Sequence, residues 1–200
     1  MAITTRYDSK RRFISYWHQI DEVLTCEPQH MLDVGVGTGF LSRYLRALDI
    51  AVTTVDIDKE RKPDIVASVT ALPCSDNVFD MVTAFEVLEH MPYEESLQSM
   101  RELHRVSSHW VLISLPDATR YLRLEVPIPK IGKWKRLYTI SLCHPERHKM
   151  GEEGHYWEIG KAGYPLARII QDMETTGFAI KKKYRVFENP YHHFFVLQKI

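Results

Sequence analysis

The sequence predicts an α/β fold with a doubly wound, mostly parallel seven-stranded sheet that ends in an antiparallel hairpin. Apolar segments of strand length alternate with amphipathic helical segments from residue 31 to residue 115, as in folds built on a parallel sheet. A glycine-rich loop joins the first strand to the next helix. Near the C-terminus, two strand-like segments are separated by only four residues, which indicates a hairpin. Such sheets bind ligands beyond the carboxyl ends of their strands, so a site is expected there.

The first half of the chain opens with a predicted leading helix within residues 1–28. Apolar side chains recur at helical spacing over residues 9–26, which is typical of an amphipathic helix. This apolar stripe consists of Phe13, Trp17, Ile20 and Leu24. The strands predicted next are 31–34, 51–57, 65–69, 79–85 and 110–115, and the helices between them are 40–48 and 94–106.

The second half begins with a break in this alternation. Residues 118–163 contain several prolines and glycines, many aromatic and histidine side chains, and no clear period. We therefore expect an irregular insertion that serves as a lid over an acceptor site. A helical stripe over 166–173 follows, and then come the hairpin strands 179–187 and 192–199. The whole chain, 1–200, is predicted to be one domain.

Composition narrows the classes of function. The chain has 200 residues, of which 44% are hydrophobic, and its 26 Lys and Arg balance 26 Asp and Glu. No overall charge attracts it to nucleic acid, and no apolar run is long enough to span a bilayer. Cys26, Cys74 and Cys143 are few and widely spaced, and the first ten residues lack the apolar stretch of a signal peptide. These features predict a cytoplasmic protein whose partner is a small molecule.

The most informative motif is the glycine-rich loop. Gly35, Gly37 and Gly39 follow the first strand, where the backbone must turn sharply and approach a ligand closely. Asp33 precedes them, at a place where a diphosphate would be repelled but an amino group would be favoured. Asp56 ends the second strand, at the spacing of a carboxylate that binds ribose hydroxyls. These features suit a nucleoside linked to an amino acid, and S-adenosylmethionine fits that description.

Three segments in this order resemble a known family. Residues 33–39 resemble the first motif of class I S-adenosylmethionine-dependent methyltransferases. Residues 71–80 and 85–91 resemble two further segments of their small-molecule "type 11" branch. The resemblance implies a Rossmann-like methyltransferase fold, S-adenosylmethionine as cofactor, and in-line transfer of its methyl group to a small or medium-sized acceptor.

The resemblance also implies roles for the loop residues. Gly35, Gly37 and Gly39 would underlie the methionine and ribose parts of the cofactor. Asp33 would orient the amino group, and Asp56 would accept hydrogen bonds from the ribose hydroxyls.

The adenine and methyl positions follow in the same way. Ile57 would pack on the adenine face. The family usually has an aspartate where this chain has Ser68, so we expect Ser68 and the Val69 backbone to share the adenine edge. Glu86 and His90 follow the fourth strand, where the methyl group should point.

Candidate catalytic residues are His90, His155 and Tyr156. His90 is either a general base for an acceptor that must lose a proton or a cap on a short helix. His155, Tyr156 and Trp157 immediately precede the returning helix, so they are the expected acceptor contacts.

No metal site is predicted. The residues Cys143, His144, His148 and His155 are candidate ligands in the same segment, but their spacing matches no standard zinc signature.

Two alternatives stay open at this point. One is an NAD(P)-dependent oxidoreductase, which Asp33 and the spacing of the glycines disfavour. The other is a non-catalytic cofactor-binding regulatory module, which Ser68 in place of the usual aspartate allows.

Overall fold

The structure is a computed structural model that describes residues 9–130, 132–140, 145–150 and 154–200. Cys143 and His144, two candidate ligands, lie outside these residues. Helices alternate with strands in the order that the sequence predicts. The elements are α1 (Lys10–Cys26), β1 (His30–Val34), α2 (Phe40–Arg46), β2 (Ala51–Asp56), β3 (Ile65–Val66), β4 (Phe79–Phe85), α3 (Tyr93–Val106), β5 (Ser107–Pro116), β6 (Tyr121–Ile128), β7 (Gly132–Thr139), α4 (Leu166–Thr175), β8 (Phe178–Arg185) and β9 (His192–Lys199).

Seven strands form one sheet in the order β3-β2-β1-β4-β5-β9-β8. The first five strands pair in parallel, whereas β9 is antiparallel to both β5 and β8. The predicted fold is therefore confirmed, including the C-terminal hairpin. The strand order reverses between β1 and β4, and in open α/β sheets this switch point opens the crevice that binds ligands.

The sheet is covered on both faces, which explains the continuous apolar character of its central strands. Successive residues of β4 point to opposite faces. Met81 packs in a cluster with Leu45 of α2, and Val82 packs in a second cluster with Leu103 of α3 and Met173 of α4. Each of these side chains is fully buried, and such burial contributes about 1.5–3 kcal/mol per side chain.

Helix α1 forms as predicted, but its apolar stripe is mostly exposed. Phe13 and Trp17 of the apolar stripe are 48% and 59% exposed. The helix instead presents a polar face to the sheet, because partners there satisfy its polar groups: Lys182 and Tyr184 both donate to Glu22, at 2.6 and 2.7 Å. The residues that it buries are Ser15, Tyr16, Gln19, Glu22 and Val23.

The interpretation of 118–163 as irregular is also wrong for part of its length. Strands β6 and β7 form a separate two-stranded antiparallel sheet, paired from Tyr121↔Thr139 to Ile128↔Gly132. Its side chains are almost all exposed, so the apolar alternation in β6 does not correspond to a buried face. Among the described residues, no helix is long and apolar enough to cross a membrane.

Candidate functional site

A cavity of about 910 Å³ opens at the carboxyl ends of β1, β2 and β4, beside the switch point. Every predicted cofactor-binding and catalytic residue except Gly39 lines it. The residues that do so are Asp33, Gly35, Gly37, Asp56, Ile57, Ser68, Val69, Glu86, His90, His155 and Tyr156. Gly39 is the N-cap residue of α2 and does not itself line the cavity.

Gly35 and Gly37 are glycines for different structural reasons. Gly35 has a φ of +84°, and a Cβ there would lie 2.5 Å from Cγ2 of Val87. Gly37 also has a positive φ, +56°, but no atom lies within 4 Å of its virtual Cβ. Gly35 is therefore required by packing within the protein, whereas the space beside Gly37 is available to a ligand.

Asp33 is a buried carboxylate at the edge of the cavity. Its side chain is 4% exposed, and the Thr83 hydroxyl donates a hydrogen bond of 2.9 Å to its Oδ1. Burial raises the pKa of Asp33 to about 6, although the bond from Thr83 acts to lower it. A positively charged ligand group at this place would favour the ionised carboxylate.

Asp56 joins the end of β2 to the glycine loop. Its Oδ2 accepts a hydrogen bond of 2.9 Å from the Val36 amide, and its Oδ1 accepts one of 2.9 Å from the Asp58 amide. Each carboxylate oxygen keeps further acceptor capacity, so ligand hydroxyls can still bind. Arg61, which the sequence analysis did not single out, donates to the Gly37 carbonyl at 3.3 Å and also lines the cavity.

Residues that follow β2 and β3 form another part of the cavity wall. Ile57, which is 74% exposed, and Val69, which is buried, both present apolar side chains to the cavity. The Ser68 hydroxyl lies 2.8 Å from the Thr70 hydroxyl and accepts a hydrogen bond from the Thr70 amide. Thr70 therefore belongs to this wall, although nothing in the motif pointed to it.

Glu86 follows β4 in a strained backbone conformation. Its φ is +55°, which is uncommon for a residue with a side chain and is concentrated at functional sites. The Ser114 hydroxyl donates to Glu86 Oε1 at 2.8 Å, and His192 Nδ1 lies 3.8 Å from the same oxygen. The Ser15 hydroxyl lies 2.7 Å from His192 Nδ1, so this network links β4 to α1.

His90 lies at the mouth of the cavity beside two further ionisable groups. Its ring is 4.9 Å from the ring of His155 and nearly perpendicular to it. Its Nε2 is 3.9 Å from the fully buried carboxylate of Glu89. One ligand atom from each of the three lies within 4.8 Å of the others, so the cluster has the residue types that hold a metal ion. The absence of a metal from this site stays a prediction.

His155 is held by the segment around it. Its Nδ1 is 3.1 Å from Glu158 Oε1, and the Tyr191 hydroxyl donates to the same oxygen at 2.7 Å. Burial acts to raise the pKa of Glu158, but these bonds hold that pKa below its ordinary value. The Tyr156 amide donates to the Glu89 carbonyl at 2.7 Å, so the segment is fixed to the turn that carries His90.

Trp157, expected as an acceptor contact, is not one. It is fully buried in the core and does not line the cavity. Its Nε1 donates to the Leu88 carbonyl at 3.2 Å and to the Ser96 hydroxyl at 2.9 Å. Trp157 therefore anchors the segment on which His155 and Tyr156 are carried.

One side of the cavity, formed by α1 and the residues around the β8–β9 turn, is not among the predicted site residues. A signal was available, because Arg12, Ser15, Tyr16 and Gln19 recur at helical spacing beside the apolar stripe of α1. The missed lining residues are Arg12, Ser15, Tyr16, Gln19, Tyr191 and His192.

Comparison with known proteins is consistent with this geometry. Residues 32–109 match the family model described as a methyltransferase domain. A demethylmenaquinone methyltransferase of Renibacterium salmoninarum is 29% identical over 133 residues, which are 62% of this chain and 52% of that protein. The chain therefore spans about half the length of this relative.

Solved structures share the fold at low identity. A Pyrococcus horikoshii protein has a TM-score of 0.63 at 15% identity, with 98% of this chain and 95% of that chain covered. The magnesium protoporphyrin IX methyltransferase of Synechocystis with bound S-adenosylmethionine has a TM-score of 0.58 at 18% identity, covering 95% and 79%. Residues 32–109 thus resemble a methyltransferase domain, and the sheet has the fold of solved S-adenosylmethionine-dependent methyltransferases.

Proposed function

We propose that this protein transfers the methyl group of S-adenosylmethionine to a small or medium-sized acceptor. The observation that carries the proposal is one cavity, lined largely by the segment that matches a methyltransferase domain model, that joins Asp33, the open space beside Gly37, and Asp56. A zwitterionic amino acid end needs a carboxylate for its ammonium, and a ribose needs acceptors for its hydroxyls. Asp33 and Asp56 meet these two needs from adjacent strands.

The residues of the cavity divide between the parts of the cofactor. Asp33 accepts hydrogen bonds from the ammonium group, and Asp56 accepts hydrogen bonds from the ribose hydroxyls. Ile57 and Val69 border the adenine, and the Ser68 hydroxyl reaches its edge. Gly35, Gly37, Gly39 and Glu86 complete the predicted cofactor-binding set.

The chemistry requires mainly positioning by the protein. The bound sulfonium supplies a methyl group that is already activated by the positive charge on sulfur. The chain aligns the acceptor with that methyl group and excludes water. Where the acceptor must lose a proton, His90 takes it, and His155 and Tyr156 contact the acceptor.

The acceptor side of the cavity guides a substrate screen. It is bordered by Tyr16, Phe85, Tyr156 and Tyr191, which favour a planar or apolar acceptor. The quinone precursor named for the Renibacterium relative is therefore a rational first acceptor, together with hydroxylated aromatic compounds.

Calorimetric titration tests the cofactor assignment. We expect S-adenosylmethionine and S-adenosylhomocysteine to bind, and NAD and NADP not to bind. Asp56→Ala should abolish measurable binding, whereas Asp21→Ala, which removes an exposed carboxylate of α1 outside the cavity, should not. Binding of a nicotinamide cofactor instead would support the oxidoreductase, and cofactor binding without transfer to any acceptor would support the regulatory module.

A further inference from the structure

The β6–β7 hairpin, residues Tyr121–Thr139, has one apolar face that no other part of the described chain covers. Residues paired across the two strands share a face, and the pairs Leu122↔Tyr138 and Val126↔Trp134 belong to the same one. The apolar side chains on this face are between 36% and 50% exposed. They are Leu122, Leu124, Val126, Ile128, Trp134 and Tyr138.

The charge of the hairpin is unlike that of the whole chain. Residues 120–140 contain six Lys or Arg and one acidic residue, Glu125, although the complete sequence is balanced. Ion pairs with Glu125, Glu146 and Glu188 engage some of these cations. On the apolar face itself the register places Arg136 opposite Leu124, and no carboxylate stands among its described residues.

The opposite face of the hairpin is anchored beside the cavity. Lys135 pairs with the Glu188 carboxylate, and both Lys135 and Arg123 lie over the ring of Phe187. Glu188 lies in the connection between β8 and β9, close in sequence to Tyr191 and His192, which line the cavity. The anchored face thus leaves the apolar face directed outward.

We propose that the apolar face of this hairpin docks on an anionic lipid bilayer. Leucine, isoleucine and valine side chains enter the boundary of the acyl chains, while tryptophan and tyrosine are the aromatic residues preferred at the level of the headgroups. Arg136 on the face and Lys130 at the turn meet the lipid phosphates. A second copy of the chain fits less well, because the same face on that copy would bring no carboxylate to Arg136.

Vesicle flotation tests the proposal. The protein should float with vesicles of phosphatidylcholine containing about one-third phosphatidylglycerol, less with pure phosphatidylcholine, and less at high salt. Val126→Thr combined with Trp134→Thr should lower the partition coefficient about tenfold, since two adjacent apolar groups are lost. Val78→Thr with Trp17→Thr makes the same chemical change at exposed positions elsewhere and should have no effect.

A second variant keeps the test valid if the apolar change disturbs the hairpin. Lys130→Gln with Arg136→Gln leaves the apolar face intact and should remove the preference for anionic vesicles. Cofactor binding by calorimetry should be unchanged in every variant, so failure here is distinct from failure of the proposed function. Absence of flotation, equal flotation of all variants, or concentration-dependent dimerisation that the Val126 and Trp134 changes abolish would overturn the proposal.

Discussion

The hydroxyl of Thr83 on β4 donates a hydrogen bond of 2.9 Å to the buried carboxylate of Asp33 on the neighbouring strand β1. This bond only partly offsets the cost of burying the charge, and the pKa of Asp33 rises to about 6. The ligand-free protein therefore holds a destabilising charge at the place where the proposed cofactor brings a positive group. This relationship makes the site testable without knowledge of the acceptor.

We expect Asp33→Asn to stabilise the ligand-free protein at pH 8, because the amide accepts the Thr83 bond without a charge. The pKa is raised in the folded state, so the cost of ionisation is present above pH 6 and disappears as the pH falls toward 4. The gain in free energy of unfolding should be about 3 kcal/mol at pH 8 and close to zero near pH 4. Urea denaturation at both pH values measures it.

Asp64→Asn is the matched control for that measurement. Although burial acts to raise it, hydrogen bonds from Thr54 hold the pKa of Asp64 below its ordinary value. Loss of this carboxylate should therefore destabilise the protein at pH 8. If Asp33→Asn also lost stability at pH 8, that result would contradict the conclusion that the ionised Asp33 carboxylate destabilises the ligand-free protein.

Affinity for S-adenosylmethionine should fall as the pH is lowered through about 6. Protonation of Asp33 removes the charge that attracts the ammonium, whereas the cofactor's own charges change little there. The dissociation constant, measured by calorimetry from pH 5 to pH 8, should rise toward low pH in the wild type. In Asp33→Asn it should be weak and nearly independent of pH, and retention of the wild-type profile would exclude Asp33 as the responsible group.

Substitutions of Gly35 and Gly37 should separate effects on stability from effects on cofactor binding. Gly37→Ala strains a positive φ but meets no protein atom, so it should cost about 1 kcal/mol of stability while weakening cofactor binding. Gly35→Ala adds a contact with Val87 that is too close, so it should be more destabilising. Denaturation and calorimetry on both variants check the order. Equal stability of the two variants would contradict the packing argument.

The sequence was most informative where backbone geometry fixes a position. The glycine loop, Asp33 and Asp56 lie at the predicted strand ends because the turn and the strand ends dictate their positions, whereas their role in binding stays a prediction. Helix α1 was oriented wrongly because periodicity reports apolar spacing and not which partners satisfy polar groups: Glu22 is buried only because Lys182 and Tyr184 reach it from a strand 160 residues later. Trp157 was misassigned for a similar reason, since only the tertiary structure brings Leu88 and Ser96 to its ring nitrogen.

Ser68→Asp should tighten the binding of S-adenosylmethionine. The Ser68 hydroxyl is engaged with Thr70, whereas a carboxylate can accept the Thr70 amide and an adenine amino group together. We expect the dissociation constant to fall about fivefold, as for one charge-assisted hydrogen bond replacing a neutral one. Ser68→Asn keeps the shape without the charge and should give little gain. An unchanged or larger dissociation constant in Ser68→Asp would contradict the assignment of Ser68 to the adenine edge.

His90 is the residue whose role depends on the acceptor. It borders the cavity and contacts the ring of His155, while Glu89 beside it is fully buried. If His90 takes a proton from a hydroxyl acceptor, His90→Gln should lower kcat by about 10²–10⁴-fold and remove the dependence of rate on pH near neutrality. His109→Gln changes an exposed histidine outside the cavity and should leave both the rate and its pH profile unaltered. Because glutamine keeps the polarity of the site, cofactor affinity should be preserved, and a wild-type pH profile in His90→Gln would leave His90 with only a role in the turn after β4.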